Sequence, residues 1–565
     1  MRKTLLRAGV FCLMVSGWIS SYQVNAQSDP TGKRPITDTH AITNATVFAT
    51  PDASGVKGDI LIKNGLIQGV GANLSIPAGA KVIAGDSLFI YPGFITAGTD
   101  AGITKPADPE KPENFISSNP PDEIAGITPW RSAVDQFSMD SKVEDLRKAG
   151  FTIAQLIPDG GMIPGKTAIV ALGSSYSTNV LLTNTALAAN FNGARGMYPG
   201  TAVGVMAKFR DVYKNTQLTS QRSASYASQT GLKRPEITPT FNAMAEVVSG
   251  NIPVMFSANE ELEILRAISL SKELGFKLIL TDLEEYEEVL EEIKASSAQV
   301  LIKLELPDDK AVKAQEEDKE PSDEVKARYA RVKEAYENAL AQASKLEEAG
   351  IPFAFTTVGV KSNDISKTLR KMIENGLTEE MAMAALTTNA AEILGISKAA
   401  GTIAKGKMAN LVLATEPIFS EDAQIKHVMV DGYLFDYETK TKKKAKEGDS
   451  DGTVQIAGNW DYTSESPAGS SSGTLMIKKE GSEYTGTISY DDPSGSGKVT
   501  SPIVGVKLEG QKLSFSFEVV ASGMTIMVDV AGDVDGSSYD ATMTVAEYGS
   551  FPFEGTLNPT LIATK

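Results

Sequence analysis

The stretch Tyr91–Asp100, YPGFITAGTD, decides how the chain is read. Tyr91-Pro92-Gly93 supplies a turn, and Phe94-Ile95-Thr96 has the aromatic and β-branched character of a short strand. Gly98, Thr99 and Asp100 stand where that strand ends. Before it, Gly58–Val70 places two alternating apolar runs around Asn64-Gly65, a pair suited to a two-residue hairpin turn. Beyond it, to about Gly395, short apolar runs alternate with helix-period segments. That is the cadence of repeated βα units around a parallel sheet.

The cadence is clearest in the second half. Glu260–Leu274 has a helical period, Phe276–Leu280 is strand-like, Leu283–Ala295 is helical and Gln299–Leu304 is again a strand. Ser322 is placed to cap a long helix over Asp323–Ala349, and Pro352–Thr356 follows as a strand. Val143–Gly150 predicts a short helix ended by glycine, with Phe151–Ile157 as the next strand. Gly200–Lys214 and Thr238–Val248 predict amphipathic helices. Ala101–Ile127 is rich in proline and aspartate and has no period, which suits a loop over a barrel mouth.

Composition sets bounds. At 565 residues there is room for two or three domains, and 42% apolar content is ordinary for globular protein. The net charge of −17 becomes −20 without residues 1–26, which hold Arg2, Lys3 and Arg7 and no acid. Dispersed negative charge argues against a nucleic-acid partner.

Residues 1–26 read as a secretory signal peptide. Arg2, Lys3 and Arg7 lead, Ala8–Ile19 is the apolar core, and Val24-Asn25-Ala26 is the cleavage motif. An exported protein of the periplasm or cell envelope of a Gram-negative bacterium is expected. The single cysteine, Cys12, lies in this segment, so the mature chain has neither disulfides nor thiolate ligands. No later apolar run is long enough for a transmembrane helix. Residues 27–40 form a polar lead-in, and His40 is expected at the surface ahead of the first strand.

The run Ala41–Ala45, the Asn64-Gly65 hairpin, Ala78–Ile83 and Tyr91–Ile95 together resemble the start of the amidohydrolase superfamily, in its imidazolonepropionase-like branch. Ala385–Gly395 resembles the last barrel helix of that family. Gly401–Ile403, Lys405–Lys407 and Ala409–Val412 resemble the segment that returns to its small β-sandwich. The implied fold is α/β. A (β/α)8 TIM-like barrel over 91–400 carries a composite β-sandwich from 41–90 and 401–437. After a lysine-rich linker at 438–452, residues 453–565 break into Thr-, Ser- and Val-rich runs punctuated by glycine, an all-β antiparallel barrel or sandwich. Secreted amidohydrolase-like proteins of Bacteroidete type carry similar tails.

The departures from the family matter as much. The resemblance implies two zinc-binding histidines at the end of the first barrel strand, and those positions are Gly98 and Asp100. A further family histidine falls on Ser257, and the catalytic aspartate on Val358, or on Thr357 with a one-residue slip. Zinc takes three or four nitrogen, sulfur or carboxylate donors, and glycine has none to give. The chain has only two histidines. The second, His427 in Ile425–Val430, is expected to be structural. Without a metal to activate water, and without a Ser-His or Cys-His pair, no catalytic residue is assigned.

Two further motifs invite functional readings. Gly160–Thr167, GGMIPGKT, has phosphate-loop spacing, but the strand-like Ala168–Gly173 follows where a helix N-terminus is required. A turn between strands is the expectation. Asp533-Val534-Asp535-Gly536 has part of a calcium-loop pattern but lacks the other ligands, so a hairpin turn is expected there too.

The functional expectation is therefore an amidohydrolase-like secreted protein without the zinc ligands, serving as a non-catalytic binding or scaffolding subunit. Its partner would be a ligand-complete relative or a second copy, with a small-molecule or peptide ligand also open. No cofactor is expected. The alternative is a metal-dependent hydrolase of C–N bonds that holds a divalent ion with carboxylates around Asp100, Asp122 and Glu123. A third reading gives the C-terminal β-domain a carbohydrate- or peptide-binding role.

Overall fold

The computed structural model describes residues 39–439 except 108, 174–178, 194–195, 308, 311 and 313–321. It also describes 456–558 except 467–468, 482, 493–496, 522–523 and 546–548. The signal peptide, nearly all of the lead-in and the linker lie outside these residues. The chain divides into two compact units, at Met1–Thr439 and Lys440–Lys565.

The first unit begins with five strands: β1 (Thr39–Val47), β2 (Val56–Lys63), β3 (Leu66–Gly71), β4 (Lys81–Ala84) and β5 (Phe89–Pro92). Asn64 and Gly65 both adopt positive φ, 54° and 76°, and turn β2 into β3 as the Asn-Gly pair predicts. Three late strands, β14 (Leu411–Ala414), β15 (Ile425–Val430) and β16 (Tyr433–Asp436), complete the sheet in the order β16-β15-β14-β5-β1-β2-β3, with β4 beside β1. Its apolar face buries Ile42, Ile60, Ile90, Leu411 and Met429 in one cluster. His40 belongs to β1 and is only 1% exposed. The expected surface position is therefore wrong: β1 starts before Ile42, and its pairing with β2 and β4 covers His40 on both sides.

From Pro92 the chain crosses into the barrel through one residue. Gly93 N donates to Asn410 O at 2.8 Å, and a Cβ there would collide with the Thr152 side chain. Only glycine fits this crossing. The barrel strands are β6 (Phe94–Thr99), β7 (Phe151–Leu156), β8 (Gly165–Ala171), β9 (Val180–Asn190), β10 (Val254–Ser257), β11 (Leu278–Thr281), β12 (Gln299–Lys303) and β13 (Phe353–Thr356). They neighbour one another in sequence order, and Thr357 N donates to Gly98 O at 2.7 Å to bring the last strand's exit against the first. Each strand sends one residue into a common interior layer: Ile95, Ile153, Ile169, Ala186, Met255, Ile279, Leu301 and Ala354. Side chains fill this TIM-like barrel, as such barrels require.

The eight strands are not eight βα units. β8 runs antiparallel to β7 and to β9, whereas the other neighbours are parallel. The cause is connection length. A parallel crossover needs a dozen or more residues, and only 157–164 link β7 to β8 and 172–179 link β8 to β9. Gly160, Gly161 and two prolines also deny the first link a helix.

Helices at Ser141–Lys148, Ala202–Ser228, Pro239–Val248, Glu261–Leu274, Leu290–Ser296, Asp323–Glu348, Ile365–Glu374, Glu379–Leu386 and Thr388–Ile393 surround the barrel. Ser322 caps the long one by accepting from Val325 N. Among the described residues no helix is long and apolar enough to cross a membrane.

The second unit is a closed antiparallel barrel of eight strands, β17 (Gly458–Ser466) through β24 (Gly549–Leu557), with β24 pairing back onto β17. Trp460, Phe515, Tyr539 and Phe553 are buried inside it. Their polar tips stay bonded: Trp460 Nε1 donates to Ile456 O at 2.9 Å and Tyr539 Oη to Leu513 O at 2.9 Å. Asp535 pairs with Ser538 across a turn at Gly536, so the acidic Asp533–Gly536 motif is a hairpin.

Candidate functional site

Because β6 and β7, and β9 to β13, all run the same way, their C-terminal ends form one rim. Gly98, Asp100, Ser257 and Val358 all belong to this rim, at or just past the ends of β6, β10 and β13. The first barrel strand and the last meet here. Thr96 Oγ1 donates to Gly98 O at 2.8 Å and lies 3.0 Å from Thr357 Oγ1. Since the Thr96 proton is engaged, Thr357 is the donor of that pair. Asp100 Oδ1 accepts from Gly359 N at 2.9 Å, so this carboxylate fastens the loop after β13. A Cβ on Gly98 would lie 2.7 Å from Ile157 Cδ1 and 3.1 Å from Thr356 Cγ2. Both side chains would have to shift to admit one.

The inner wall below the rim is hydroxyl-rich. Gln155 Nε2 donates to Thr167 Oγ1 and Thr185 Oγ1, both at 3.0 Å, and those two hydroxyls pair at 2.8 Å. Thr356 Oγ1 and Gln155 Oε1 are buried without a protein partner. Lys303, the last residue of β12, places a cation at the rim and pairs with Glu305. The sequence reading noted Thr96 only as standing where the family motif has an aspartate, and missed Thr356, Gln155 and Lys303. Lys303 could have been found as a charge closing an apolar strand, but the threonines look like ordinary strand formers.

The carboxylates proposed to hold a cation do not come together. Asp122 pairs with Lys208 at 3.3 Å and accepts from Thr240 Oγ1 at 2.6 Å. Glu123 pairs with Arg131 at 3.0 Å. Each thus has its own partner, away from the Asp100–Gly359 contact. Among the described residues no three His, Cys, Asp or Glu side chains are grouped as a metal site requires.

The phosphate-loop spacing resolves as expected: Gly165, Lys166 and Thr167 begin strand β8, and Lys166 pairs with Glu246. His427, on β15, places Nδ1 2.9 Å from Asp436 Oδ1 on the adjacent strand. Burial pushes its pKa down, opposed by the Asp436 carboxylate and assisted by Lys426 and Lys81.

Residues 188–434 match the family model of the amidohydrolase family. That match spans β10 to β15, less than half of the chain. A solved amidohydrolase from Thermotoga maritima MSB8 aligns at 21% identity with a TM-score of 0.57, covering 70% of this chain and 100% of that one. A prolidase complexed with N-methylphosphonate-L-proline aligns at 16% identity and TM-score 0.43, over 71% and 100% of the two chains. Phenylurea hydrolase B aligns at 16% identity and TM-score 0.40, over 70% and 97%. No curated protein sequence matches. Among the described residues of the rim, the donors that the resemblance would assign to a metal do not form a suitable set. Gly98 offers nothing, Asp100 is engaged by Gly359 N, and Ser257, Thr356 and Thr357 offer only hydroxyls.

Proposed function

We propose that this chain is a non-catalytic, amidohydrolase-like binding or scaffolding subunit, exported to the periplasm or cell envelope, that has lost the zinc ligands of its family. One observation carries the reading: Gly98 has no side chain to give a metal, and Ile157 and Thr356 pack against the position from which a ligand side chain would leave. The Thr96–Thr357 hydroxyl pair supports it, because it ties β6 to the exit of β13 where the resemblance places a ligand and the catalytic aspartate. The paired states of Asp122 and Glu123 count against the carboxylate-site alternative.

Two measurements on purified full-length protein test the reading. Elemental analysis after gel filtration is expected to find no stoichiometric divalent metal. A panel of amides, dipeptides and ureas is expected to show no turnover, with or without added zinc or manganese. Retained metal together with turnover that a chelator abolishes would overturn it.

A further inference from the structure

The helix Ala202–Ser228 outruns the barrel. Its buried residues are Val205, Phe209, Val212, Tyr213 and Thr216, and from Gln217 onward none is buried. Those last 12 residues extend about 18 Å at 1.5 Å per residue. A lone segment of that length is marginal as a helix in water. It returns through an irregular stretch to the helix Pro239–Val248.

The chemistry of this arm differs from the rest of the chain. Between Asp211 and Glu236 there is no acidic residue, in a protein with 71 of them, while Lys214, Arg222, Lys233 and Arg234 are basic. Lys214 is taken by Glu273 at 3.0 Å. Arg222, Lys233 and Arg234 are exposed and make no ion pair with another described residue. Leu218, Tyr226, Leu232 and Ile237 are each at least 43% exposed. Lys214, Leu218, Arg222 and Tyr226 recur every four residues and so share one helix face. Apolar and aromatic residues beside arginine, with acids excluded, is the composition of an interface centre.

The complement is on the same chain. Glu284, Glu285, Glu288, Glu291 and Glu292 are exposed around the start of the helix Leu290–Ser296. None pairs with a described cation, whereas neighbouring Glu287 is taken by Lys345. Like charges three and four residues apart weaken a helix unless something neutralises them.

We propose that the arm at 217–237 docks on the acidic ridge at 284–292 of a second copy of this chain, and that copy's arm docks reciprocally on the first. Two-fold symmetry makes the contact twice, doubling the buried area toward the roughly 1,000 Å² that a specific interface needs. A second copy is favoured over an anionic membrane because it carries the complement itself, the five exposed glutamates at 284–292 that no described cation neutralises.

The experiment is analytical ultracentrifugation of the full chain. A dimer at low salt is expected, with its dissociation constant rising about tenfold or more as salt is raised to about 1 M, where screening acts over roughly 3 Å. The triple substitution Arg222→Glu, Lys233→Glu, Arg234→Glu is expected to give a monomer with an unchanged circular dichroism spectrum. Glu284→Lys, Glu285→Lys, Glu288→Lys is expected to do the same. Mixing the two variants should restore a one-to-one dimer. Wild-type protein that stays monomeric, with or without binding to phosphatidylglycerol vesicles, would overturn the proposal. So would an arm-reversed variant that still dimerises, or two reversed variants that fail to pair.

Discussion

Thr96 and Thr357 are 261 residues apart in sequence, and their hydroxyl oxygens lie 3.0 Å apart inside the barrel. Around that contact the first strand and the exit of the last strand share a second bond, from Thr357 N to Gly98 O. Polar contacts at the rim thus join the first and last strands of the barrel.

Thr96→Val removes both the acceptor for Thr357 and the donor to Gly98 O. A loss of about 1–3 kcal/mol in unfolding free energy is expected, since the buried Thr357 hydroxyl loses its acceptor, while Gly98 O keeps only its bond from Thr357 N. Thr356→Val should go the other way, stabilising by up to about 1 kcal/mol, because that hydroxyl is buried without a protein partner and burying an unbonded hydroxyl is costly. Urea unfolding of the two variants checks both signs. Equal losses would show that the hydroxyl pair has no special weight.

Gly98→Ala is expected to cost about 1–3 kcal/mol, the usual range for overpacking, because the new methyl presses on Ile157 and Thr356. Combining it with Ile157→Val should recover part of the loss by removing the atom nearest the added Cβ. Denaturant midpoints decide. A neutral Gly98→Ala would mean that the rim has room for a larger side chain.

Not all of this was legible in the sequence. The hairpin at Asn64-Gly65, the cap at Ser322 and the strand from Phe94 follow from local rules, and the structure keeps them. That Gly98 supplies no ligand follows from its identity alone. That Ile157 and Thr356 fill the space beside it does not, because strands far apart in sequence bring those side chains there. The same holds for His40, whose burial depends on pairing with β2 and β4. Strand β9 was missed because Asn184, with φ 54°, breaks its alternation. The direction of β8 was readable in principle from the eight residues on either side of it.

His427 predicts a pH dependence. Burial lowers its pKa from the ordinary 6.5, more than Asp436 raises it. The unfolded chain therefore takes up the proton at higher pH than the folded one. The stability tied to a neutral His427 is fully present above about pH 6.5 and declines as pH falls toward the folded value. Thermal melts between pH 7.5 and 5 should show this slope, and His427→Asn should flatten it. An unchanged slope would place the titration elsewhere.

The C-terminal barrel should fold alone. It is a separate compact unit whose eight strands close on themselves around Trp460, Phe515, Tyr539 and Phe553. A fragment spanning 456–558 is expected to melt cooperatively and to keep near-ultraviolet ellipticity from its packed aromatics. A fragment without a cooperative transition would show that the unit depends on the rest of the chain.

The pairing of β5 with β14 has a consequence for synthesis. Phe89–Pro92 finds its partner in Leu411–Ala414, so one side of β5 stays open while the whole barrel is being made. At the 5–20 residues per second typical of translation, that interval is on the order of 20–60 seconds. For that time an apolar strand end is available to any other nascent chain. Substitutions that slow barrel closure would therefore lower the yield of soluble protein before they lowered the stability of the finished fold, and a holding chaperone would be needed most before Ala414 emerges.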